Sequence, residues 1–183
     1  MFMPRRARTI VQWPCAGERV ARSFKRDPLR WQTPRSLPMT RDEVVAAAQK
    51  AHRAHWRMTG DESEGDKRAD AVTKAWQDAV CRKEPRTLVA EFRVAKHLRE
   101  RIDLVDTKRG IAYEMKVSPN NAHFEFYRDV FKAIVARDHG FQRLSRLVFM
   151  APAIAAQRLR ASLAGEVQRD ATRFGLRVEI RDL

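Results

Sequence analysis

The run IAYEMKV at 111–117 reads as a β-strand and carries Glu114 and Lys116 two residues apart. Strand alternation puts both on one face with Ala112, leaving Tyr113, Met115 and Val117 on an apolar face. A second short run, RIDLVD at 101–106, precedes it across the turn sequence TKRG. A hairpin loop of two or four residues pairs Asp106 with Ile111, and counting back sets Asp103 opposite Glu114. Directly opposed side chains lie about 4.5–5.5 Å apart at Cβ. Two carboxylates at that distance repel, but become favourable around a divalent cation. Two or three acid oxygens plus water suit Mg²⁺, with Mn²⁺ as a substitute. Lys116 would then orient an attacking water or meet the charge on a phosphate. Asp106 is three residues from Asp103, so it points to the other face unless an odd loop or a bulge exchanges the two. The plainer reading of the same residues is a cross-strand Glu–Lys or Asp–Lys ion pair on a solvated face. The basic residues are 28 Arg and 9 Lys, yet position 116 is Lys, the compact point charge suited to a water or phosphoryl oxygen.

These residues need elements to hold them. Pro85 suits the first turn of a helix over about 85–100, with an apolar stripe of Leu88, Val89, Phe92, Ala95 and Leu98 and with Glu91 at its centre. The hairpin of 101–106 and 111–117 follows, with Gly110 supplying turn geometry. SPNN at 118–121 ends the second strand and offers Asn caps to a helix over about 122–138. LSRLVFMAP at 144–152 is a buried-type strand. A helix follows through Phe174, Gly175 closes it, and LRVEI at 176–180 is the last strand. From residue 85 the order is α-β-β-α-β-α-β, an α/β fold with a mixed sheet flanked by helices. Upstream, Thr40 and Glu43 have capping-box spacing before VVAAAQKAHRAHW. After a loop at 61–66 a second helix spans about 67–82. The expected organisation is a basic arm at 1–38, a helical extension at 39–83 and a core domain at 84–183.

Charge narrows the partner. The 183 residues carry 37 Lys+Arg against 23 Asp+Glu, a net +14, which favours an acidic partner, nucleic acid first. Residues 1–38 hold nine basic and two acidic residues, broken by five prolines. Arg5, Arg6, Arg8, Arg22, Lys25 and Arg26 are candidates for phosphate contact. Trp13, Phe24 and Trp31 among them either stack on bases or strap the arm to the domain. Two cysteines, Cys15 and Cys81, are too few for a disulfide framework or a Cys-based zinc site, and a reducing cytosol is the simplest setting. No apolar stretch approaches the ~20 residues that span a bilayer, and the start of the chain has no apolar signal core. His52 and His55 have ligand-like spacing, but packing or surface roles fit better because no nearby carboxylate or Cys completes a site. His123, Glu125, Tyr127 and Arg128 open the helix after the Glu-x-Lys strand, where they could touch phosphate. The plainer reading is polar helix-start residues, with Phe124 and Phe131 in the core.

The run IDLVDTKRGIAYEMKVS resembles the signature of the PD-(D/E)xK nuclease superfamily, which includes restriction enzymes, junction resolvases and repair nucleases. On that resemblance Asp103 matches the signature Asp, Glu114 its Asp/Glu and Lys116 its Lys. Glu91 matches the helical Glu that some members add to the metal site. Ile102 stands where the signature has Pro, and one strand rather than two is expected before the Glu-x-Lys strand. The resemblance implies a restriction-endonuclease-like core and a Mg²⁺-dependent endonuclease acting on DNA, cytoplasmic and associated with the nucleoid, with assembly as a homodimer left open. The alternatives are a non-catalytic nucleic-acid-binding protein with an inactive nuclease-like core, and an interaction module whose arm binds an acidic protein.

Overall fold

The computed structural model describes residues 38–56, 62–162 and 164–183. The basic arm, including Arg5, Arg6, Arg8, Arg22, Lys25 and Arg26, lies outside these residues. The elements are α1 (Arg41–His55), α2 (Glu62–Lys83), β1 (Leu88–Arg93), β2 (Arg101–Asp106), β3 (Ile111–Met115), α3 (Ala122–Asp138), β4 (Arg146–Ala151), α4 (Ala153–Ala161), α5 (Ala164–Arg173) and β5 (Arg177–Asp182). The five strands form one sheet in the order β1-β2-β3-β4-β5. The β1–β2 and β2–β3 pairs are antiparallel, and the β3–β4 and β4–β5 pairs are parallel. The fold is therefore α/β with a mixed sheet, as the sequence implies.

Each face of the sheet has its own helical cover. Val44, Val45 and Ala48 of α1 and Val72, Trp76 and Val80 of α2 pack against Leu104, Tyr113, Met115, Val148 and Met150. On the other face, Phe126, Val130 and Ala133 of α3, with Ala155, Ala156 and Leu159 of α4 and Ala171 of α5, cover Ile102, Val105, Ala112, Leu147 and Phe149. β4 alternates between the two cores, which is why LVFM is continuously apolar. The segment expected as a helical extension thus forms one layer of the sandwich and shares a core with the sheet. Its first helix starts as the sequence predicts: Thr40 and Glu43 make a reciprocal capping box. Trp76 is wholly enclosed and donates its indole N–H to the Val44 carbonyl, tying α2 to α1.

Four elements differ from expectation. The helix foreseen over 85–100 is instead strand β1, followed by a turn. Leu88 and Ala90 pack toward the α1/α2 core while Phe92 and Val94 belong to the α3 core, because Glu91 takes a positive φ of 50° and switches the alternation. A strand whose apolar residues change face midway loses its period-2 signature, and LVAEFRV then imitates a helical stripe. α2 begins at Glu62, so the helix takes in most of the loop expected at 61–66. The long helix after β4 is two helices, interrupted after Ala161. Asn121 precedes α3 in a left-handed conformation (φ 56°) with no side-chain cap, contrary to the expected Asn cap.

Candidate metal and phosphate site

The β2–β3 register sets Asp106 against Ile111, Val105 against Ala112 and Leu104 against Tyr113. That is the expected register, and its next step brings Asp103 to Glu114. Here the two strands part. Ile102 lies in the α3 core and Leu104 in the α1/α2 core, so β2 changes face at Asp103. The Met115 N–H bonds to Asp103 Oδ2 at 2.9 Å, and the Asp103 N–H lies 3.5 Å from Glu114 Oε2. The aspartate side chain thus replaces a rung of backbone ladder, which turns its carboxyl inward although the residue as a whole is only partly covered.

Glu114 is 2% exposed and points to the α3 side of the sheet. Two α3 residues that the sequence reading did not single out meet it there. Lys132 Nζ lies 2.6 Å from Glu114 Oε1 and 2.8 Å from Asp129 Oδ1, and it donates to the Arg101 carbonyl at 2.9 Å. Asp129 and Lys132 are 5% and 7% exposed. They sit among Phe126, Val130 and Ala133 on the buried arc of α3, and polar residues at those places in an apolar stripe were the available sequence signal.

Two carboxyls, Glu114 and Asp129, thus share one enclosed ammonium, whose charge also acts on Asp103. Burial pushes the Asp103 carboxyl up to about 6, against the Met115 N–H and Lys132, which hold it down. Burial and the negative neighbours Asp103 and Asp129 drive Glu114 well above the ordinary carboxylate range. Asp129 is raised chiefly by burial. Burial alone would lower Lys132, but Glu114 and Asp129 hold its proton on and raise it. The cluster is short of positive charge, the condition that favours a further cation.

Lys116 follows Glu114 on the same face, half-buried, with its backbone N–H anchored to the Met150 carbonyl at 2.8 Å. Among the described residues its ammonium has no ion-pair partner, so the plainer Glu–Lys pairing foreseen from the sequence is not formed. Glu114 pairs with Lys132 instead. Glu91 lies level with Asp103 across the β1–β2 ladder, with its carboxyl hydrogen-bonded to α2. It stands on β1, not on a helix, and its Oε1 accepts a hydrogen bond from Gln77 Nε2 of α2 at 3.0 Å. The same amide group donates to the Asp103 carbonyl at 2.7 Å. Asp106 serves the turn: its Oδ1 accepts the N–H groups of Lys108 and Arg109, and its Oδ2 pairs with Arg109 at 3.0 Å. Among the described residues no three of His, Cys, Asp and Glu come together as a ready-made metal group.

The remaining candidates separate cleanly. His52 Nε2 donates to the Val117 carbonyl (3.1 Å) and the ring stacks on Trp56, a packing role. Phe124 and Phe131, expected in the core, are 69% and 66% exposed. Phe126 occupies the core in their place, because the buried arc of α3 runs through Ala122, Phe126 and Val130. Glu125 and Arg128 pair with each other, and His123 meets Ser162 at 3.2 Å. No protein-family model, curated protein or solved structure matches this chain.

Proposed function

We propose that the protein is a divalent-metal-dependent phosphodiesterase acting on DNA, with a core of the PD-(D/E)xK type. The observation that carries this reading is the meeting of the Asp103 and Glu114 carboxyls where β2 and β3 part, with Lys116 on the same strand face one repeat further. The element order adds support. A helix, a three-stranded antiparallel meander, a helix and a parallel strand run from α2 to β4, so two strands precede the Glu-x-Lys strand, as the resemblance requires.

The donor set fits a hard cation: two carboxyls, both raised by burial, meet where a divalent ion would stabilise their charged forms. Asp103 and Glu114 would hold it. Bound there, the metal would offset phosphate charge and acidify a water. Lys116 would bind a phosphoryl oxygen or orient the water from the same face, and the surplus of basic residues would supply sequence-independent backbone affinity. No helix among the described residues is long and apolar enough to cross a membrane.

One observation favours a second reading. The Lys132 ammonium already partners Glu114 and Asp129, as expected of a DNA-binding protein with an inactive core. Plasmid cleavage in Mg²⁺ or Mn²⁺, abolished by a chelator, decides between them. Lys116→Ala should lower cleavage at least about 100-fold while DNA retention persists and stability changes by about 0.5 kcal/mol or less. Undiminished cutting by Lys116→Ala would refute the assignment of Lys116. Retention on DNA without any cutting would favour the second reading.

A further inference from the structure

We propose that Lys132 is a built-in counter-cation that occupies the divalent-ion position, so that metal binds only by displacing its ammonium. This rests on the metal-site reading of Asp103 and Glu114. Three oxygens from three elements converge on Lys132 Nζ: Glu114 Oε1 of β3 at 2.6 Å, Asp129 Oδ1 of α3 at 2.8 Å and the Arg101 carbonyl of β2 at 2.9 Å. The ammonium donates to the Arg101 carbonyl and forms close ion pairs with the two carboxyls. Carboxylate and carbonyl oxygens are also the ligands a hard divalent cation takes. One ammonium among three carboxyls leaves the cluster under-compensated, and a divalent ion brings twice the charge to the same oxygens.

The tether gives the ammonium its advantage. Lys132 is fixed on the core-facing side of α3, whose Phe126, Val130 and Ala133 are packed into the sheet. A free ion must compete with a cation held permanently at high effective concentration. Metal uptake is thereby weakened, and Asp129, released from Lys132, becomes a third oxygen donor. The ammonium is the lock, and the acids behind it are the site.

The test is Mn²⁺ titration of the full-length protein, with free Mn²⁺ read by electron paramagnetic resonance, for wild type and Lys132→Met. Removing the competing charge should tighten Mn²⁺ binding roughly tenfold or more. Adding Asp103→Asn to Lys132→Met should abolish the gain, which assigns the ion to this cluster. If Lys132→Met does not fold, because Glu114 and Asp129 then face each other, Lys132→Met with Asp129→Asn takes its place and should also bind more tightly than wild type. Binding equal to or weaker than wild type in the folded variant would overturn the counter-cation role and leave the metal reading standing. No Mn²⁺ binding in any of the proteins would overturn both.

Discussion

Replacing Asp103 with Asn should stabilise the metal-free protein at neutral pH and leave it unchanged in acid. Asn keeps a carbonyl oxygen for the Met115 N–H, so the bond that replaces the ladder rung survives. What is removed is the charge. The Asp103 carboxyl is raised from the ordinary 3.8 to about 6, with burial the largest cause. A raised carboxyl binds a proton more readily folded than unfolded. Its contribution is therefore fully present below about pH 4 and is lost as pH rises through about 6. At pH 7.5 the wild-type fold carries an ionised, poorly solvated carboxylate. A rise of about two units corresponds to a ceiling of about 3 kcal/mol. The partial cover of the residue reduces this to about 1–2 kcal/mol. For a domain of this size that is a rise in Tm of roughly 3–6 °C. Melting curves in chelator at pH 4, 6 and 7.5 test it. The difference between Asp103→Asn and wild type should grow across that range. Mg²⁺ should then raise the Tm of wild type but not of the variant, since only a site that binds the ion gains stability from it. A loss of stability of equal size at every pH would mean that Asp103 acts through geometry alone and would refute the electrostatic argument.

Two further substitutions follow from the same geometry. Asp106→Asn should cost about 1–3 kcal/mol, because Asp106 is 1% exposed and an amide NH₂ would face the Arg109 guanidinium; chemical denaturation measures it, and the residual folded protein should still cleave DNA. Deleting residues 1–38, which carry nine basic and two acidic residues, should weaken DNA binding and flatten its salt dependence; an unchanged salt slope in a filter-binding titration would mean the arm does not touch phosphate.

Much of the scaffold was legible because its signals are local. The capping box at Thr40 and Glu43, the turn TKRG and the alternation of IAYEMKV each depend on neighbours within a few residues. The 101–115 hairpin follows, with Asp103 rather than Asp106 beside Glu114. β4 could be read because a strand buried on both faces must be apolar throughout. β1 could not, because the positive φ at Glu91 breaks the period that identifies a strand. Its strand state comes from pairing with β2, which places Glu91 on a strand and not on the helix that the resemblance called for.

The sequence alone determined which residues share one face of β3, since strand periodicity fixes Glu114 and Lys116 together whatever surrounds them. The tertiary structure decided what that face meets. The chain leaves β3, crosses in α3 and returns as β4 parallel to β3, and this crossover lays Asp129 and Lys132 over Glu114 from fifteen to eighteen residues away. No local pattern encodes such a meeting. It arises because Phe126, Val130 and Ala133 must bury themselves on the sheet, and in doing so they carry the two intervening charged residues down onto the buried Glu114 carboxyl.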